Sequence, residues 1–147
     1  MKKLYIVLIG FLVFSGVKAQ IINFPDSNFK AKLLAAGTSN DIASNQNPVY
    51  DTSSGTWSVN TYNQIDTNND GEIEISEAIS IKYLDVSSTQ ISDLTGIEFF
   101  TNLQYLNCND NSLQNLNFSG MNSLQGLACE FNQLSNIDLS GFTNLQT

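Results

Sequence analysis

The chain has no histidine and no arginine among its 147 residues, and its six cationic residues are all lysines. Without histidine, the usual serine and cysteine triads are excluded, and so are most zinc sites. Cations are scarce as well as uniform. Three of the lysines, Lys2, Lys3 and Lys18, fall at the start, so the part after them carries 3 − 14 = −11 formal charges. A nucleic-acid binder would carry the opposite sign, and an anionic membrane surface would repel such a chain. This balance suits solubility and the binding of cations. Long apolar runs are missing too. The longest, Leu4 to Phe14, has 11 residues, against the roughly 20 that a membrane span needs. With Lys2 and Lys3 before it and Val17-Lys18-Ala19 after it, residues 1–19 read as an export signal cleaved before Gln20. No cysteine stands at that cleavage point, which disfavours a lipoprotein, and no membrane insertion is expected after cleavage.

What the chain does have is one phrase written three times. The phrases are Ile81-x-x-Leu84-x-Val86-x-x-Thr89-x-Ile91, Leu103-x-x-Leu106-x-Cys108-x-x-Asn111-x-Leu113 and Leu124-x-x-Leu127-x-Cys129-x-x-Asn132-x-Leu134. A fourth begins at Leu145, and the spacing is 22 and then 21 residues. This is the leucine-rich repeat pattern. Apolar residues alternating with polar ones predict a short strand with one buried face. A second apolar set, such as Ile91, Leu94, Ile97 and Phe100, closes each coil, and stacked coils bury what one coil cannot. The fold class expected is an α/β solenoid, a leucine-rich repeat stack over 81–147 with parallel strands on its concave face. Repeats this short leave room for an extended or 3₁₀ convex side. Thr89, Asn111 and Asn132 fall where each strand ends, and an amide there can bond backbone of its own turn and the next one.

Residues 20–80 read as an N-terminal cap. Asp26 is placed to cap a helix from Ser27 that Gly37 ends, with Phe29 and Leu33 on one face. Val49-Tyr50-Asp51 and Thr56-Trp57-Ser58-Val59 flank Ser53-Ser54-Gly55 and predict a small hairpin. Trp57 is read as packing, with an exposed aromatic contact as the alternative. Asp66 to Glu77 then matches the twelve-residue EF-hand loop. Oxygen ligands fall at Asp66, Asn68 and Asp70, glycine at Gly71, and the closing carboxylate at Glu77. Glu72 offers its backbone carbonyl, and Glu74 a ligand directly or through water. Five carboxylates in twelve residues repel one another without a cation, so Ca2+ is the expected cofactor. The flanks are poor helix material, so a structural clip between cap and repeats is expected rather than a sensor.

Two further readings concern the repeats. Cys108 and Cys129 take the same inward position in consecutive coils. Neighbouring strands would hold their Cα atoms roughly 4.8 Å apart with parallel Cβ vectors, and disulfides want Cβ atoms nearer roughly 3.8 Å. Buried free thiols are expected. The outward strand positions form a candidate binding face: Tyr83, Asp85, Tyr105, Asn107, Asn109 and Glu130, with Phe131 at the strand edge.

Phe24-Pro25-Asp26-Ser27-Asn28-Phe29-Lys30, the calcium loop, Ser92-Asp93-Leu94-Thr95-Gly96-Ile97-Glu98 and the Leu-Asn-Cys repeats together resemble secreted leucine-rich repeat proteins of flavobacteria and their relatives, similar in outline to internalins. The resemblance implies an exported, non-catalytic module, secreted or at the cell surface, that binds a protein or carbohydrate ligand. It also implies more repeats and a surface-sorting C-terminal domain, so this sequence reads as a piece of a longer protein. The alternative is the recognition region of a larger secreted enzyme. A dockerin-like module would need a second calcium loop, and there is none.

Overall fold

The structure, a computed structural model, describes residues 19–139 and 142–146. The expected export signal lies outside the described residues except for Ala19. Among the described residues, no helix is long and apolar enough to cross a membrane.

Helix α1 (Ser27–Leu34) opens the chain, capped by Asp26, whose Oδ1 accepts the N–H groups of Asn28 and Phe29 at 2.9 and 3.0 Å. The other oxygen of Asp26 accepts from Ser92 N–H and Oγ at 2.8 and 2.9 Å. One carboxylate therefore starts the helix and staples it to the first repeat. Burial pushes this carboxyl up, but the bonds from Ser92, Phe29 and Asp93 outweigh it and hold it below the usual range. The helix stops at Leu34 rather than running on to Gly37. The Asn40 amide donates to the Ala35 carbonyl at 2.7 Å and its oxygen accepts from Gly37 N–H at 3.1 Å, which supplies the end from a side chain.

Strands β1 (Ala43–Ser44), β2 (Val49–Asp51) and β3 (Thr56–Ser58) follow, then the one-turn helix α2 (Ile75–Ala78), and β4 (Tyr83–Asp85), β5 (Tyr105–Asn107) and β6 (Gly126–Ala128). Strands β4, β5 and β6 pair in parallel with no slip: Tyr83 with Tyr105 with Gly126, and Leu84 with Leu106 with Leu127. The 22- and 21-residue spacing of the sequence is thus a spatial register. Just before the strands, Gln104 N–H donates to Lys82 carbonyl at 2.8 Å, Gln125 to Gln104 at 2.7 Å and Gln146 to Gln125 at 2.7 Å. The fourth phrase starts in the same register.

The period-two pattern buries Leu84, Val86, Leu106 and Cys108 completely. Ile91, Ile97 and Phe100 close the first coil beneath them, and Leu113, Phe118 and Met121 the second, all buried. Each such aliphatic or aromatic side chain contributes roughly 1.5–3 kcal/mol by leaving water. On the convex side a single 3₁₀ turn (Ile97–Phe99) occurs among the described residues. Where each strand turns, the same position is left-handed in all three repeats: Ser88, Asp110 and Phe131, each with φ of 53°.

The amides at the strand ends are bonded on both sides. The Asn111 oxygen accepts from Thr89 and Ile91 N–H at 3.2 and 2.9 Å, and its NH2 donates to the carbonyls of Val86, Cys108 and Asn109 at 2.9–3.2 Å. Asn132 repeats this with Leu113 N–H and the carbonyls of Cys108, Cys129 and Glu130. The ladder runs to the preceding coil, not to the next one as the sequence suggests. Thr89 has no such coil before it, and its hydroxyl bonds only its own turn, at Val86 and Ser87.

The sheet's first edge is closed by β1, antiparallel to β4, an element too short to read in the sequence. At Gly96 the backbone is left-handed, and an added Cβ would meet the Phe24 ring at 2.5 Å. Glycine is required there on both counts.

Candidate functional site

The loop from Asp66 to Glu77 is built by its own acids. Asp66 accepts the N–H groups of Asp70 and Gly71 at 3.2 and 3.0 Å, Asn68 Oδ1 accepts Asp70 N–H at 2.9 Å, and Asp70 Oδ1 accepts Glu72 N–H at 2.9 Å. These side-chain-to-backbone turns wind the chain tightly, with Asn69 and Gly71 left-handed at φ 59° and 82°. The winding brings three donor side chains together. The Asn68 amide nitrogen lies 3.1 Å from Asp70 Oδ2 and 3.3 Å from Glu74 Oε2. Glu72 points elsewhere, onto the Lys30 ammonium at 2.6 Å, which leaves its carbonyl as its loop-side oxygen.

Glu77 caps its own loop: Oε1 accepts from Thr67 N–H and Oγ1 at 2.7 and 2.8 Å, and Oε2 from Glu74 N–H at 3.1 Å. Burial pushes the Glu77 carboxyl up, yet the bonds from Thr67 and Glu74 outweigh it and hold it below the usual range. Its hydrogen-bonded partner Glu74 is pushed up, by that shared bond, by burial and by the charges of Glu77 and Asp70. Among the described residues, no three Asp, Glu, Cys or His side chains are gathered closely enough to hold a metal ion. The reason is visible: Asn68 takes one place in the cluster, and Glu77 is turned onto backbone. The donors are nonetheless all oxygens, the set that hard divalent cations take.

Two elements hold this loop to the rest. Ile73 is fully buried. Ile22 N–H donates to its carbonyl and Ile75 N–H to that of Gln20, each at 2.9 Å, with Ile21 bridged antiparallel to Glu74. The first residues after the expected cleavage point thus pair with the loop, an arrangement no local pattern in Gln20–Ile22 announces.

The candidate binding face is not the open surface that its sequence implies. The β2–β3 hairpin folds across it. Trp57 stacks on Tyr105 at 5.6 Å and 27°, Tyr105 on Tyr83 at 5.2 Å and 25°, and Tyr50 packs against Trp57 at 5.2 Å with the rings tilted by 42°. Tyr83 is buried and Tyr105 half-buried as a result. The place for Trp57 is made by Gly126, which stands in register with the two tyrosines. A Cβ there would sit 2.5 Å from the indole nitrogen and 2.8 Å from Tyr105. That glycine, where two repeats have tyrosine, is the one sequence signal of the docked hairpin.

Below the hairpin an open cleft of about 510 Å³ remains, lined by Trp57, Tyr83, Asp85, Tyr105, Asn107, Asn109 and Glu130 among others. Part of this lining is already committed. Asp85 accepts from Ser87 N–H and Oγ and from Asn107 Nδ2, and Asn109 Oδ1 accepts from Glu130 N–H at 2.6 Å. The Glu130 side chain is exposed and has no ion-pair partner among the described residues. Phe131 stands outside the cleft, 77% exposed.

A phenylalanine at φ 53° bears roughly 1–2 kcal/mol of backbone strain that asparagine largely escapes. Phe131→Asn is therefore expected to stabilise the protein by about 1 kcal/mol in urea unfolding. An unchanged midpoint would mean that the ring regains the strain by packing.

No protein-family model matches the sequence, and no curated protein is significantly similar to it. Solved structures do match. The functional domain of InlJ from Listeria monocytogenes superposes with a TM-score of 0.59 at 27% identity, over 88% of this chain. The fold is internalin-like. The chain spans only 23% of the length of that structure. The internalin-like InlJ domain is described as including a cysteine ladder, and here Cys108 and Cys129 follow in-register strand pairs of consecutive repeats. Both are free thiols, Cys108 buried and Cys129 half-buried. Burial, with the neighbouring Cys129 and Asp85, pushes the Cys108 thiol up to about 12, so it is inert as a nucleophile. CBM51-2, in complex with GlcNAc, and INT domains from Clostridium perfringens ZmpB also match, with a TM-score of 0.49 at 23% identity over 74% of this chain and 17% of that one.

Proposed function

We propose that the protein is an exported, non-catalytic binding module, a leucine-rich repeat solenoid (81–147) whose cap (20–80) is clipped in place by one calcium ion. The observation that carries the binding role is the cleft on the strand face, which keeps a carboxylate with no ion-pair partner among the described residues, Glu130, beside stacked aromatics. Its ligand is a protein or carbohydrate outside the cell or on its surface. The charge of the chain disfavours nucleic acid. The similarity to the InlJ domain supports an extracellular setting, as do the features of the export signal.

Calcium would be held by Asp66, Asn68, Asp70, Glu74 and Glu77, with the Glu72 carbonyl as a further ligand. Two carboxylates about 4 Å apart repel by about 4 kcal/mol at an effective dielectric constant near 20, and among the described residues the one cation bonded to this loop, Lys30, is spent on Glu72. A divalent ion relieves that repulsion. To coordinate with both oxygens, Glu77 would give up Thr67 and turn inward. Because the loop pairs with Gln20–Ile22 and ends beside β4, an ordered loop fixes the cap on the repeats.

The test is an array of immobilised glycans and surface proteins probed with the full chain in millimolar calcium and in chelator. At least one ligand should be retained in calcium and bound about tenfold more weakly in chelator, a difference of roughly 1.4 kcal/mol. Retention on neither array would remove the binding role.

A further inference from the structure

We propose that the cleft between the β2–β3 hairpin and the strand face takes a neutral sugar, one or two rings of an uncharged glycan. This deepens the binding reading above and rests on it.

Three polar groups of residues lining the cleft have no hydrogen-bond partner among the described residues. Tyr83 is 6% exposed, and its hydroxyl makes no hydrogen bond. Among the described residues every fully enclosed polar side-chain atom is bonded. The Tyr83 hydroxyl therefore reaches accessible space, and Tyr83 is among the residues that line the cleft. The Trp57 indole N–H and the Glu130 carboxylate, also of lining residues, are likewise unbonded among the described residues. Donors and acceptors thus face one cleft, and a sugar hydroxyl is both at once. A cation would use the carboxylates and leave the phenol and indole donors unanswered, which is costly wherever water is displaced. An anionic sugar would meet Asp85 and Glu130 with no lysine in the lining. A cavity of about 510 Å³ lies within the ordinary range of small-ligand sites, roughly 300–1,000 Å³. The rings already pack on one another, Trp57 against both Tyr50 and Tyr105 and Tyr105 against Tyr83. Recognition therefore runs through the polar edges of the aromatic row.

Trp57 is the chain's single tryptophan, so its fluorescence and its indole N–H resonance report this cleft alone. The full chain is titrated with cellobiose, maltose, lactose and chitobiose, and separately with trilysine as a cationic probe. At least one disaccharide should give a saturable Trp57 response that survives high salt. Tyr83→Phe keeps the stack and removes only an unbonded hydroxyl, so the fold is retained. It and Glu130→Gln should each weaken the response about fivefold, near 1 kcal/mol. A sugar response unchanged in Tyr83→Phe would overturn the proposed site. A response to trilysine alone, lost in salt, would overturn the sugar assignment and leave the strand face as a binding surface. Silence with every probe would overturn both.

Discussion

Asn111→Ala is expected to lower stability by about 4 kcal/mol, the largest effect of any single polar substitution in the repeats. The side chain is 8% exposed and makes five hydrogen bonds, two accepted and three donated. Replacing it deletes these and strands the N–H of Ile91, a fully buried residue, while the three carbonyls keep partners in Thr89, Asn132 and Ser88. A net 0.5–1.5 kcal/mol per bond, plus 1–3 kcal/mol for each buried group left unpaired, makes 4 kcal/mol a conservative sum. That is a large share of the roughly 5–15 kcal/mol that holds a domain folded.

The size of the effect depends on position along the stack. Asn132 makes four bonds of the same kind but is half-buried, so Asn132→Ala should cost about half as much, near 2 kcal/mol. Urea midpoints for both, beside the exposed control Asn115→Ala, give the order. Equal losses at Asn111 and Asn115 would mean that the amides do not tie the coils together.

Much of this was legible because it is periodic. The Leu84, Leu106 and Leu127 spacing became strand register without a slip, since one face must be buried and a slip would turn it out. The hairpin's two strands were legible from turn residues and alternation. Its destination was not, because Trp57 meets Tyr105 and Gly126 across some fifty to seventy residues of sequence, and no local rule carries that contact. The candidate residues share one strand face, and the hairpin covers part of it. Tyr83 and Tyr105 point to that face but are covered, and Asp85, Asn107 and Asn109 spend much of their bonding on one another and on neighbouring backbone. The loop from Asp66 to Glu77 shows the same division. Its residue types and spacing are local, so they could be read. The pairing of Gln20–Ile22 with Ile73–Ile75 and the turn of Glu77 onto Thr67 arise from tertiary packing and from which oxygens the backbone claims.

Thermal unfolding of the full chain, with calcium and with chelator, decides whether a calcium ion clips the cap to the repeats. With calcium about a hundredfold above its dissociation constant, binding adds about 2.7 kcal/mol, which for a chain of this size raises Tm by about 10 °C over chelator. Glu77→Gln keeps one acceptor oxygen and so loses either the bonds from Thr67 or the one from Glu74, which exist without the ion; its Tm falls in both conditions, and only the calcium-induced rise is diagnostic. Asp70→Asn retains the oxygen that accepts Glu72 N–H and is the cleaner companion. The account predicts a rise of about 10 °C in the unaltered protein and no more than about 3 °C in either variant. No rise in the unaltered protein, or the same rise in all three, would contradict it.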